Sequence, residues 1–328
     1  MTATTARPQS QKRHTLVNVV LQLAAMVAIG LLVYPDAANW VNSIGHNSEI
    51  SGYVREVEST PSEERERILD AAYAYNDQLE PGPLTDPYIS MSQDAQERSK
   101  LYQAYEEMLR VSGTDAIGTL NFPAVNIALP IFHGTSEEAI SQGVGHMYGT
   151  SLPVGGPSTR SVLTAHSGLP HAALFTPLHA AKVGDTFWIS VLGEDHHYIV
   201  REIEMVEPGN TESLRIIEGE DWVTLFTCTP VGVNSHRLLV HAERIPDADA
   251  GPLEQTISGD GVPLGFPWWA VWFVGGSALI AWILFVPPRK KSRKRPLPSA
   301  PESPSGAPSS SATRATVSEP LTRLEGEQ

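Results

Sequence analysis

The hydrophobic pattern divides the chain into two unbroken apolar runs with a patterned region between them. Leu16 to Tyr34 is apolar apart from Asn18 and Gln22. Leu264 to Val286 carries no charge, holds Trp268, Trp269 and Trp272 near its start, and stops at Pro287-Pro288. Each run has about the ~20 residues that a bilayer core demands of a helix. Tryptophans at one end of such a run suit the membrane–water interface. Residues 16–34 therefore read as a signal anchor and 264–286 as a second transmembrane helix. A cleaved signal peptide competes for the first run, but no small-x-small site follows it; the chain continues Tyr34-Pro35-Asp36-Ala37-Ala38.

Between the runs the period changes twice. Pro61-Ser62-Glu63-Glu64 opens a helix with acids in its first turn, and Ile68, Ala71, Ala72 and Tyr75 form its stripe. A second helix is predicted over Gln93 to Val111, with Leu101, Tyr102, Tyr105 and Leu109 on one face. The Pro-rich loop 80–92 between them is either a spacer or a functional flap. From Ala116 the pattern becomes short strands separated by Gly and Pro turns: Ile117–Leu120, Val125–Ile131, Ser161–His166, Thr186–Val191, Tyr198–Val206, Trp222–Cys228 and Arg237–Ala242. A short helix is expected around His171 to Ala181. This texture predicts a mainly β protein, a closed, antiparallel-rich β-barrel over residues 116–246, preceded by a helical region at 35–115.

Charge sharpens the layout. The net charge is -14, yet residues 1–15 hold Arg7, Lys12 and Arg13 with no acid, and 289–295 reads Arg-Lys-Lys-Ser-Arg-Lys-Arg. Both basic segments flank the apolar runs on the side away from the middle. The positive-inside rule then predicts a cytoplasmic N-terminus (1–15), a cytoplasmic stretch 287–328, and residues 35–263 outside the membrane, with 247–263 as a linker. Pro, Ser, Ala and Thr dominate 296–328, the composition of a disordered tail. The acidic middle argues against nucleic acid as a partner, since a phosphate backbone needs a basic face.

The chemistry centres on the single cysteine of the chain, Cys228. It can form no intramolecular disulfide, so it is either a reactive thiol or a buried inert one. Trp222, Thr224, Phe226 and Cys228 share one face of their strand, and Arg237, Leu239 and His241 share one face of the next. If those strands are neighbours, Cys228 and Arg237 meet at one end of one face. His166 also closes a strand. A cation beside a thiol favours the thiolate, an imidazolium can protonate a leaving amine, and an arginine can hold an oxyanion. His196-His197 is the one pair that hints at metal, and no second pair at ligand spacing supports it, so no metal or other cofactor is expected.

At these residues the sequence resembles the sortases, transpeptidases that join surface proteins of Gram-positive bacteria. Thr224-Leu225-Phe226-Thr227-Cys228 is similar to their T-L-x-T-C segment, Thr164-Ala165-His166-Ser167-Gly168 to their histidine segment, and His236-Arg237-Leu238-Leu239-Val240 to their arginine strand. Gly168-Leu169-Pro170, Leu174-Phe175-Thr176, Val183-Gly184-Asp185-Thr186-Phe187, Thr229-Pro230 and Gly232-Val233-Asn234 resemble the pilus-assembling class C. Val231 departs from the aromatic common there. The resemblance, over residues 62–246 and both apolar runs, implies the sortase barrel. It implies Cys228 as nucleophile on an LPxTG-like sorting signal, His166 as general acid and base, and Arg237 as holder of substrate and oxyanion. It implies LPxTG-bearing pilin or surface proteins as acyl donors and a pilin lysine amine as acceptor. Asp86-Pro87-Tyr88 resembles the class C lid, with Asp86 on Arg237 and the Tyr88 ring over Cys228. A sortase that anchors proteins to cell-wall peptide and a non-catalytic pilus scaffold are the alternatives. A peptidoglycan-crosslinking thiol transpeptidase fits less well, because the Cys and His segments here lie far apart.

Overall fold

A computed structural model describes residues 9–80, 82, 84, 86–88, 100–246 and 264–286, the side chains of 9–14 excepted. The linker 247–263, the basic cluster and tail within 287–328, and parts of the loop 80–92 and of the helix predicted from Gln93 lie outside the described residues.

The membrane-proximal part is two helices. Helix α1 (Gln9–Ser59) runs without a break through Pro35, well past the expected end of the span at Tyr34. A proline removes one backbone hydrogen bond and normally bends or stops a helix. Here the helix is carried on by tertiary packing: Ile50, Tyr53 and Val57, all but fully buried, press its far end onto the barrel. The Tyr53 hydroxyl donates to the Ile117 carbonyl at 3.2 Å and accepts from the Leu192 amide at 2.8 Å. The C-terminal helix, Trp268–Phe285, is labelled α5 below. Both helices are long and apolar enough to cross a membrane. They pair antiparallel through the polar residues that dilute the first run. Asn18 donates to the Leu284 carbonyl at 2.7 Å, Gln22 to that of Ser277 at 3.0 Å, and the Trp40 indole to that of Gly265 at 2.9 Å. Side-chain amides spent on a neighbour's carbonyls suit a medium without water.

Helix α2 (Ser62–Gln78) buries Leu69, Ala72 and Asn76, whereas Ala71 of the predicted stripe faces outward. Asn76 acts as a surrogate backbone group: its amide donates to the Leu152 carbonyl at 3.1 Å and its oxygen accepts from the Leu152 amide at 2.7 Å. Helix α3 spans Lys100–Glu106, shorter than the helix predicted to Val111. Leu109 takes a positive φ of 55°, which ends the helix and turns that side chain into the core. Tyr102 and Tyr105 are buried, but Leu101 is exposed, contrary to the predicted face.

Eight strands form a closed barrel: β1 (Ala116–Phe122), β2 (Ile127–His133), β3 (Val144–His146), β4 (Thr159–Thr164), β5 (Thr186–Val191), β6 (Glu194–Val206), β7 (Asp221–Thr229) and β8 (His236–Arg244). Their order round the barrel is β1-β2-β3-β4-β7-β8-β6-β5. The pairs β2–β3 and β4–β7 are parallel and the others antiparallel. A short helix, α4 (Glu137–Gln142), capped by Ser136, joins β2 to β3. The helix expected around His171–Ala181 is a 3-10 turn at Thr176–Ala180.

The period-2 pattern sorts the strands' side chains into two layers. Leu163, Val223, Leu225, Val240 and Ala242 point into the barrel with Leu120, Phe122, Ile131 and Phe187. The alternate residues Val162, Phe226 and Leu239 form a second apolar cluster with Met147 and Leu214 on the outer face of the same strands. That outer face carries the site.

Candidate active site

Strands β7 and β8 are neighbours, and their register sets Cys228 directly opposite Arg237, Phe226 opposite Leu239 and Thr224 opposite His241. On the other side, β4 sets Thr164 beside Phe226. Alternation then makes Cys228, Phe226 and Thr224 one row on the outer face. His166 lies two residues beyond the end of β4. Its neighbour Ser167 donates to the Cys228 carbonyl at 2.6 Å, which ties the histidine segment to the end of β7. Gly168, at a φ of 78°, is needed here: a Cβ would come within 2.8 Å of Val231 Cγ1.

The loop residues Asp86, Pro87 and Tyr88 lie over this row. Asp86 Oδ2 accepts from Arg237 Nε at 2.9 Å and from the Gly209 amide at 3.2 Å, and its Oδ1 accepts from the Tyr88 amide at 2.9 Å. The Arg237–Asp86 pair is almost fully buried, at 6% and 2% side-chain exposure. Arg237 Nη1 donates to the carbonyls of Asn234 and His236 at 3.1 and 3.2 Å. The Tyr88 ring stacks on Phe226 at 6.0 Å, packs against His166 at 5.7 Å and lies under the Arg237 guanidinium at 5.2 Å. Its hydroxyl donates to the Ala165 carbonyl and lies 2.8 Å from Thr164 Oγ1. In this arrangement Nε and Nη1 of Arg237 are both engaged inside the protein.

Electrostatics follow from the geometry. Burial pushes the Cys228 thiol up; the Arg237 guanidinium pulls the other way, and the Asp86 carboxylate adds to the rise. Burial likewise raises the Tyr88 phenol, so it stays protonated and able to donate. His166 Nε2 lies 3.0 and 3.1 Å from the two oxygens of the Glu137 carboxylate. A carboxylate only accepts, so Nε2 carries the proton and Nδ1 is the basic nitrogen of the neutral ring.

Comparison with known proteins decides the family. A sortase-domain family model matches residues 120–245. The structure is similar to sortase C-1 from Actinomyces oris (44% identity, TM-score 0.52, covering 56% of this chain and 99% of that one). It is similar also to sortase C1 from Streptococcus agalactiae (43% identity, TM-score 0.55, covering 62% of this chain and 97% of that one). The chain belongs to the class C sortases. Among curated relatives this sortase is 33% identical over 130 residues to sortase A from Streptococcus agalactiae serotype III (strain NEM316), a match that covers 39% of this chain and 52% of that protein. It spans between about half and two thirds of the length of the curated relatives it matches.

Two features of this sortase's site carry no motif. Glu137 belongs to the acidic first turn of α4, which reads as ordinary helix-start chemistry beside the Ser136 cap. Gly209, which donates to Asp86, sits in a loop with no pattern of its own. Val231, where an aromatic is common, is partly exposed and packs beside Gly168.

Proposed function

We propose that this sortase is a membrane-anchored cysteine transpeptidase that cleaves an LPxTG-like sorting signal between Thr and Gly and joins the acyl group to a lysine amine of a pilin subunit. The observation that carries this reading is the register of β7 and β8, which sets a thiol opposite a guanidinium on the outer face of the barrel, with the histidine segment tied to the thiol's own carbonyl. Cys228 passes its proton to His166 and, as thiolate, attacks the threonine carbonyl carbon, and the charge that develops on the carbonyl oxygen falls to Arg237. The C–N bond to glycine breaks, and the glycine amine takes a proton from His166. The thioester on Cys228 is then attacked by a neutral lysine amine, which gives its proton back to His166 and expels the thiolate, leaving an isopeptide bond.

Asp86, Pro87 and Tyr88 act as an autoinhibitory lid. Asp86 occupies the guanidinium that the oxyanion needs, and the Tyr88 ring fills the space before the thiol. The catalytic barrel lies outside the cell and both termini in the cytoplasm, from the basic flanks of the two apolar runs. One relative, Streptococcus pneumoniae sortase C, 41% identical with a TM-score of 0.54, is described in terms of its pilin substrate specificity, which supports a pilin as the substrate here.

The test uses the full chain in detergent micelles, with and without Asp86→Ala and Tyr88→Ala, given an LPxTG peptide and a lysine-bearing acceptor peptide. Mass spectrometry should find an acyl adduct on Cys228 and then an isopeptide product. No adduct in any lid state would sink the transpeptidase reading. Adducts resolved only by a cell-wall-type amine would move the enzyme to the anchoring role.

A further inference from the structure

The end of the barrel that carries the site is also the end nearest the paired apolar helices. Trp40 marks the barrel-side end of that pair. Its indole donates to the Gly265 carbonyl at 2.9 Å, and its ring lies edge to face with that of Trp269 at 6.2 Å. A level of tryptophans, with Trp268 and Trp272 close by in sequence, suits the membrane–water interface. Two residues on, about 3 Å of helix rise, the Asn42 amide donates to the His171 carbonyl. One turn further, the His46 ring bonds the Gln142 backbone. Tyr53 and Val57 then meet Ile117, Leu192 and Gly193 at the opposite end of the barrel. Helix α1 therefore runs along the barrel from the end that holds His166 and Cys228 to the end that holds the β5–β6 turn.

At the site end, the loop joining β7 to β8 packs on the histidine segment. A Cβ on Gly168 would come within 2.8 Å of Val231 Cγ1 and 3.2 Å of the Gly232 nitrogen. The Val233 and Asn234 amides both donate to the Pro230 carbonyl, which fixes the loop as a tight turn. Its apolar side chains nevertheless face outward: Val231 is 45% exposed and Val233 69%. Pro230 and Pro170 are exposed too, and Leu169 is half-buried. A single exposed valine is ordinary on a protein surface. Here the apolar positions converge on the one end that faces the helix pair. Ser167–Pro170 and Pro230–Ser235 also hold no Asp, Glu, Lys or Arg, in a chain of net charge -14. An uncharged apolar tip has nothing for an anionic lipid surface to repel.

We propose that the β7–β8 loop, through Val231 and Val233, rests in the interfacial layer of the lipid surface, as a second foot beside helices α1 and α5. This rests on the reading of those helices as membrane spans. The occupant is lipid because the apolar tip continues the surface of the helix pair, whose own outward residues include Val271, Trp272 and Leu279. The contact bears on the site through one atom. The Asn234 carbonyl, at the end of the same turn, accepts from Arg237 Nη1 at 3.1 Å. A loop steadied by lipid keeps that acceptor in place, and the guanidinium with it, when Asp86 leaves.

The experiment uses the full chain carrying Cys228→Ala, reconstituted in vesicles of phosphatidylcholine with phosphatidylglycerol. One cysteine is added at a time and coupled to an environment-sensitive fluorophore. Val233→Cys and Val231→Cys report the loop, and Leu279→Cys reports α5. Glu218→Cys reports the far end of the barrel, where the neighbouring Gly219 amide meets Ser158. The lipids carry a nitroxide quencher either close to the headgroups or at the acyl end. The label at 233 should lose roughly half of its emission or more to the shallow quencher and less to the deep one, as a side chain seated ~5–10 Å into the headgroup layer does. The label at 231 should follow more weakly, and the one at 218 should not respond. A label at 233 that behaves like the one at 218, while the one at 279 is quenched, overturns the loop contact and leaves the spans intact. No quenching at 279 overturns the spans and the loop contact with them. Protection of 233 from aqueous iodide without quenching by lipid gives the loop to a protein partner and overturns the lipid assignment. If Val233→Cys fails to fold, the label at 231 decides the matter on the same terms.

Discussion

Removing the Asp86 carboxylate should free the active-site thiol. With the loop in place, Arg237 is buried and its charge is met by Asp86 at 2.9 Å. Taking one partner from a buried ion pair costs about 3–5 kcal/mol, because the other charge is left in a poor medium. That cost falls on the closed arrangement alone, since a displaced loop lets water reach the guanidinium. At 1.4 kcal/mol per tenfold, even about 3 kcal/mol moves the closed–open equilibrium by roughly 150-fold. Tyr88→Ala adds the loss of the hydroxyl bond to the Ala165 carbonyl and of the ring's contacts with Phe226, His166 and Arg237. The assay is the rate at which iodoacetamide alkylates Cys228. It needs no site separation, because the chain has no other cysteine. Asp86→Ala with Tyr88→Ala should raise that rate by about two orders of magnitude at neutral pH, the range set by the ion-pair cost above. A rate within twofold of the unaltered chain, in a variant whose melting temperature is kept, would refute the lid and the energetics behind it.

Three further outcomes follow from the same structure. The pH profile of alkylation should show its inflection above that of an ordinary thiol, since burial and then Asp86 raise the Cys228 thiol and the thiolate is the species that reacts; opening the lid removes both causes, so the inflection should move down. His146 is fully buried between Tyr105 and the Ser151 carbonyl, and burial lowers it from 6.5 to about 4. A depressed histidine contributes stability above its unfolded value, so melts should weaken by about 3 kcal/mol as pH falls from 6.5 through 4, and His146→Gln should flatten that dependence. Glu137→Gln should slow peptide turnover by roughly threefold, the worth of a mostly exposed pair, while leaving iodoacetamide alkylation unchanged; a loss above a hundredfold would mean that Glu137 does more than orient the ring.

What the sequence made legible depended on whether the signal was local. The face shared by Thr224, Phe226 and Cys228 follows from strand periodicity alone, and the structure places their β8 neighbours opposite. The two apolar runs needed only length and charge. No local signal shows that helix α1 runs on through Pro35, because its continuation depends on Ile50, Tyr53 and Val57 meeting the barrel, a contact made by residues far apart in sequence. Spacing puts Leu101 on one face with Tyr102 and Tyr105, yet it is exposed while they are buried. Strand β3 and helix α4 are too short for periodicity to register.

The unbroken course of α1 also has a mechanical consequence. From Tyr34 to Ile50 the helix rises about 24 Å, at 1.5 Å per residue, with no hinge between the apolar run and the barrel. Tyr53 bolts its far end to β1 and to the turn after β5. The enzyme therefore stands on a mast and not a tether. The outer face that carries Cys228 is thereby held at one distance and one heading from the apolar run.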